Sequence, residues 1–169
     1  MIENTYNVYT MTPQQKTAFL ENLIFAGAVN PTVRRVTVDL MIGVGRDDHV
    51  ERLCRIHRFV RDSVPYHREP VEMFHPAGQT LVEGGDCDDK AILICAMGWT
   101  LRYPWRVLKL GGQNDPGGHY TTAIGYGPSD LPYGDRSTRW GWFETSCDAL
   151  PFEWVLDAVY RIEKGSDHG

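Results

Sequence analysis

Two glycines lead into a cysteine and then into an apolar run: Gly84-Gly85-Asp86-Cys87-Asp88-Asp89-Lys90-Ala91, followed by Ile92-Leu93-Ile94-Cys95-Ala96-Met97. The pattern puts Cys87 where a glycine loop becomes a helix. The first turn of a helix carries unsatisfied N–H groups and roughly half a positive charge, both of which favour a thiolate. A thiol so placed can serve as a nucleophile. A structural cysteine belongs inside the apolar run, as Cys95 does.

A thiol nucleophile needs a base, and the base needs an acid to orient it. His119 opens Gly117-Gly118-His119-Tyr120-Thr121-Thr122-Ala123-Ile124, an alternation that predicts a strand. Glu144 lies in Trp140-Gly141-Trp142-Phe143-Glu144-Thr145-Ser146, a second strand-like run with a carboxylate among aromatics. Cysteine on a helix start, histidine on one strand and acid on the next make a candidate triad.

Asp86, Asp88 and Asp89 read first as capping and dipole partners in the first turn, where their charge opposes thiolate formation. They could instead attract a cationic substrate group or hold Lys90 or an arginine. There is no C-x-x-C pair, and His75, His119 and the cysteines do not fall at zinc-ligand spacings, so neither a metal nor another cofactor is expected.

These residues resemble the transglutaminase-like (papain-related) superfamily. Ile56-His57-Arg58-Phe59-Val60-Arg61-Asp62-Ser63-Val64-Pro65-Tyr66 is similar to the family's helix ending "fVrdnirY". Pro76, Thr80-Leu81 and Gly85-Asp86-Cys87-Asp88-Asp89 follow its "P…tL…GDCdd" pattern, and Tyr103-Pro104-Trp105-Arg106-Val107 is similar to its "G-x-P-x-R-v" step. The likeness covers residues 50–150. The family's acid is usually an aspartate four residues after a strand tryptophan. Trp140 plus four gives Glu144, one methylene longer, with Asp148 as the alternative acid just beyond. After His119 the run is Tyr-Thr-Thr, where the family more often has an aromatic or a valine two residues on.

The resemblance implies acyl chemistry. Cys87 would attack a carboxamide or peptide carbonyl of a protein or peptide substrate, His119 would move the proton, and Glu144 would fix the imidazole. The Cys87 backbone N–H is the first oxyanion donor, and Gln79 and the indoles of Trp140 and Trp142 are candidates for a second. Sequence does not choose between water and an amine as acyl acceptor.

A chain of 169 residues that is 42% hydrophobic predicts one compact unit with a real core. Its parts read as a helical extension over 1–49, a transglutaminase-like core over 50–162 and a tail over 163–169. A net charge of −5 argues against general nucleic-acid binding. No apolar run is long enough for a membrane span, and the first residues carry no secretion signal. Four cysteines in such a chain fit a reducing compartment, so a cytoplasmic location is expected. Cys54 reads as a core or boundary residue, and Cys147 lies close to the proposed acid. Arg52, Arg55, Arg58 and Arg61 read as a solvated helix face.

The elements that must position the triad follow from local signals. Thr12-Pro13 starts a helix to about Ala28, Asn30-Pro31 starts one to about Ile42, and Asp47 or Asp48 caps a third ending near Val64-Pro65. Residues 66–85, with Pro70, Pro76 and Gly78, read as loop. The Cys87 helix runs to about Leu101; strands follow near 105–111, 119–126 and 139–146, and a last helix spans Pro151 to Ile162. The fold class is α+β, N-terminal helices packed on a small antiparallel sheet, in the manner of a papain/transglutaminase-like core.

The helical preface before GDCDD also resembles short transglutaminase-like proteins of tailed phages and prophages. That implies synthesis in a bacterial host and a place in the virion among other virion proteins. Three functions stay open at this point: a cysteine amidase, peptidase or transamidase; a structural or assembly protein of a phage particle; and a non-catalytic peptide-binding module whose cleft is lined by Trp105, Tyr120, Trp140 and Trp142.

Overall fold

The computed structural model describes residues 6–7, 10–71, 73–110, 119–126 and 139–143. Glu144, Cys147, Asp148, the expected last helix and the tail lie outside the described residues.

Three N-terminal helices, α1 (Pro13–Val29), α2 (Pro31–Leu40) and α3 (His49–Ser63), start at their capping residues. Thr12 and Gln15 close a reciprocal capping box on α1, with N–H bonds of 2.8 and 3.2 Å. Asn30 ends α1 and begins α2: its N–H donates to the Gly27 carbonyl at 3.1 Å, and its Oδ1 accepts from Thr32 and Val33. Asp48 is the residue that caps α3, accepting from the Glu51 N–H at 3.1 Å. The helix α2 stops at Leu40, short of Ile42, and the chain turns through Gly43 at φ +79°.

The arginine stripe of α3 does more than face water. Arg55 donates to the carbonyls of Leu40 and Ile42 at 3.1 and 2.9 Å, which supplies partners at the open end of α2, and it also pairs with Glu51.

Residues 66–85 are not all loop. They contain the short strand β2 (Met73–Phe74), paired antiparallel with β1 (Tyr6–Asn7), and the helix α4 (Ala77–Glu83). Proline and glycine signal a break locally, yet both fit the helix. Pro76 stands at the N-cap, where a missing N–H costs nothing. At Gly78 an added Cβ would lie 2.8 Å from the Asn30 amide, so the glycine allows α4 to close on α2.

At the centre lies α5 (Cys87–Thr100), with Ile92, Leu93, Ile94, Cys95, Ala96 and Met97 fully buried. Apolar residues all round a helix require a cover on every side. Helices α1 to α4 cover it in part, and the antiparallel sheet β3 (Trp105–Leu110), β4 (His119–Tyr126), β5 (Arg139–Phe143) covers the rest. Gly27 of α1 is wedged here: a Cβ would meet Ala77 at 2.7 Å and Ala96 at 2.9 Å. The described part is thus α+β, and its single core draws on α1 and α2 as well as on residues from 50 onward. Among the described residues no helix is long and apolar enough to cross a membrane.

Candidate active site

The approach to Cys87 is built by close backbone contacts. Gly84 ends α4 at φ +89°, where a Cβ would stand 2.5 Å from the Pro65 carbonyl oxygen. Gly85 is bridged to Tyr66 in parallel, donating to Pro65 O at 3.1 Å and accepting from the His67 N–H at 3.0 Å. A Cβ on Gly85 would come 2.5 Å from the Asp89 Cβ, so only glycine fits between the two segments. Asp86 then takes the N-cap, and Cys87 is the first helical residue, half-buried with a free thiol. The first backbone bond of the helix runs from the Lys90 N–H to Asp86 O at 3.0 Å, which leaves the Cys87 N–H without an intrahelical acceptor.

The neighbouring acids do cap the helix as expected, Asp86 and Asp89 forming a capping box at the start of α5, and two of them are also buried beneath it. Asp88 and Asp89 are 3% and 0% exposed. Asp89 Oδ1 accepts the His75 backbone N–H at 2.8 Å, and Oδ2 lies 2.8 Å from His75 Nδ1 and 3.4 Å from the Asp86 N–H. His75 Nε2 is 3.4 Å from Glu69 Oε1, so a buried imidazole is held between two carboxylates. Burial opposes charge on His75, but the Asp89 hydrogen bond and the charges of Asp89 and Glu69 outweigh it and hold its pKa above the ordinary value. Burial raises the Asp89 carboxyl, and its bonds from His75 offset part of that rise.

Asp88 behaves differently. Burial first, then its hydrogen bond with Asp86 and the charges of Asp86, Asp89 and Cys87, push its pKa well above the ordinary aspartate value. The pKa of the Tyr66 phenol is raised by burial and then by the charges of Cys87 and Asp86.

The sheet brings His119 to the same end of the molecule as Cys87. Cys95 Sγ lies 2.8 Å from Thr122 Oγ1, and a Cβ on Gly98 would lie 3.0 Å from Ile124 Cδ1. Helix α5 and strand β4 therefore advance in the same direction. Backwards from Cys95, Cys87 lies eight residues or ~12 Å along the helix. Backwards from Thr122, His119 lies three residues or ~10 Å along the strand. Both elements thus begin at one edge of the helix–sheet layer, with His119 of the central strand β4 paired to Leu110 of the edge strand β3. Trp140 and Trp142 lie on β5, opposite Gly125 and Ala123. Glu144 follows Phe143 in sequence, and it and Asp148 fall outside the described residues. Gln79 lies on α4 with its amide nitrogen 3.0 Å from Glu83 Oε2 of the same helix.

Two groups have the composition of a cation site, Glu69/His75/Asp89 and Asp86/Asp88/Asp89, each with ligand atoms within 4.8 Å of one another. In the first, both imidazole nitrogens already face carboxylates, which suits a clamp. Sequence reasoning missed Glu69 and His75. His75 meets Asp89 across fourteen residues through the β2 turn, and no spacing rule encodes that contact. The buried Phe74, stacked on Phe19 with ring centroids 6.3 Å apart, is what anchors His75 in place.

Comparison with protein-family models, with curated proteins and with solved structures finds no match for this chain.

Proposed function

We propose that this chain carries out cysteine-dependent acyl transfer on a carboxamide or peptide bond, on a transglutaminase-like core, with Cys87 as nucleophile and His119 as base. The observation that supports it is the common edge at which α5 and β4 begin, one with a half-buried thiol and the other with a histidine. In this reading the Cys87 thiol gives its proton to His119, and the sulfur forms a bond to the substrate carbonyl carbon. The Cys87 backbone N–H receives the developing oxyanion. The carbon–nitrogen bond then breaks, and the amine leaves with the proton from His119. Water or a second amine attacks the thioester carbon and loses a proton to His119; the carbon–sulfur bond then breaks and His119 returns that proton to the Cys87 sulfur. Glu144, or Asp148 in its place, orients the imidazole.

The test is covalent trapping. The protein is incubated with an activated ester such as p-nitrophenyl acetate and the acylated residue is located by peptide mass spectrometry. Acylation of Cys87 that is lost in Cys87→Ala and slowed in His119→Ala supports the reading. Acylation confined to other residues, or equal at Cys87 and Cys54, refutes it. Adding a primary amine then separates hydrolysis from transamidation.

A further inference from the structure

The three carboxylates at the start of α5 do not use their oxygens alike. Asp89 accepts three hydrogen bonds, two from His75 and one from the Asp86 N–H, and keeps some acceptor capacity. Asp86 Oδ1 and Asp88 Oδ1, by contrast, are both buried and accept no hydrogen bond. Asp88 is only 3% exposed, and one oxygen from each of Asp86, Asp88 and Asp89 lies within 4.8 Å of the others. Buried polar oxygens are normally satisfied, so two orphans on converging carboxyls point to a missing donor of positive charge.

We propose that Asp86 and Asp88, backed by Asp89, bind one hard divalent cation of the magnesium class beside Cys87. The donors are all oxygens, which selects hard cations over thiophilic ones. Two carboxylates with the rest of the shell water is the usual protein share of a magnesium site. Asp86 and Cys87 are half-buried, so solvent meets the edge of the group at these two residues and the waters would enter from there. The helix start opposes a cation with roughly half a positive charge, but the three carboxylates converging there outweigh it. The Cys87 sulfur is not among the clustered atoms. The site therefore holds the cation without tying up the thiol. This inference stands apart from the acyl-transfer reading, because its readout is binding.

The experiment is calorimetric titration of the full chain with MgCl2, paired with thermal unfolding against NaCl of equal ionic strength. One ion per chain is expected, with a melting shift of about 4 °C at ten times the dissociation constant. Asp88→Asn keeps the shape of the carboxyl and should weaken binding at least tenfold. Asp47→Asn, at an exposed acid remote in sequence from the site, should leave binding unchanged. No heat and no shift beyond NaCl in the wild type overturns the proposal, as does equal binding by Asp88→Asn. Should Asp88→Asn not fold, Asp86→Asn decides by the same criterion: undiminished binding overturns the site, and a tenfold loss supports it.

Discussion

Cys95 Sγ and Thr122 Oγ1 stand 2.8 Å apart in the core, and this contact sets the register of α5 on β4. The same hydroxyl donates to the Arg106 carbonyl at 2.7 Å, so Thr122 joins helix, central strand and edge strand at one point. The register matters because it carries the starts of α5 and β4 to a common edge.

Thr122→Val should therefore cost more than its small change in shape. The substitution removes a buried hydroxyl and its part-buried bond to the Arg106 carbonyl, a loss of about 0.5–1.5 kcal/mol. Urea unfolding of the two proteins measures it. A cost near zero would mean the hydroxyl does not bridge the two elements.

His75 should behave as a clamp on the loop before Cys87. His75→Ala keeps the backbone N–H bond but leaves the fully buried Asp89 carboxylate without the imidazole and its charge, and breaking such a buried pair costs about 3–5 kcal/mol. Asp89→Asn keeps the shape but loses the charge and should cost less than His75→Ala. Equal and small effects from both in urea unfolding would remove the clamp.

The same groups set a pH dependence whose sign is fixed. The folded-state pKa of His75 lies above its unfolded value, so its contribution is full below about 6.5 and is lost as pH rises through the folded value. Burial raises Asp88 and Glu69 in the folded state, so both also bind protons more tightly when folded and lose stability in the same direction. Glu51 and Asp62 are lowered by their arginine partners and act only in acid, below the ordinary carboxyl range. Urea midpoints should fall between about pH 6 and pH 8, and fall less in His75→Gln. A midpoint that climbs over this interval would contradict the charged imidazole.

Gly85→Ala tests the close approach of loop and helix. Its Cβ would stand 2.5 Å from the Asp89 Cβ, against a backbone already bridged to Tyr66. The change should destabilise the fold by about 1–3 kcal/mol, the range for overpacking a tight site, and move the Cys87 loop. An alanine variant as stable as the wild type in urea would show that the two segments have room to part.

Local signals carried most of the fold. Thr12-Pro13, Asn30-Pro31 and Asp48 each announce a helix through a side chain that reaches its own first turn, and such contacts are written within three residues. The unbroken apolar run after Cys87 likewise marks a helix that must be covered on all sides. The helix α4 was hidden because Pro76 and Gly78 signal a break locally, whereas one caps a helix and the other makes room for Asn30. The acids are legible as first-turn capping partners, and Asp86 and Asp89 do form the capping box, but the burial of Asp88 and Asp89 is not legible. Position in a first turn says that Asp88 and Asp89 suit a dipole, but only packing says that they are buried, and only the turn at Phe74 delivers His75 to Asp89.

The central claim is that Cys87 works with His119, and the most direct measurement is the iodoacetamide labelling rate of each cysteine at pH 7, in the wild type and in His119→Ala. Cys95 supplies an internal zero, since burial pushes its thiol up to about 12 and leaves it fully enclosed. The expected result is that Cys87 labels fastest and slows about tenfold or more in His119→Ala, with Cys54 unchanged. Equal Cys87 rates in the two folded proteins would contradict the pairing, and with it the acyl-transfer reading.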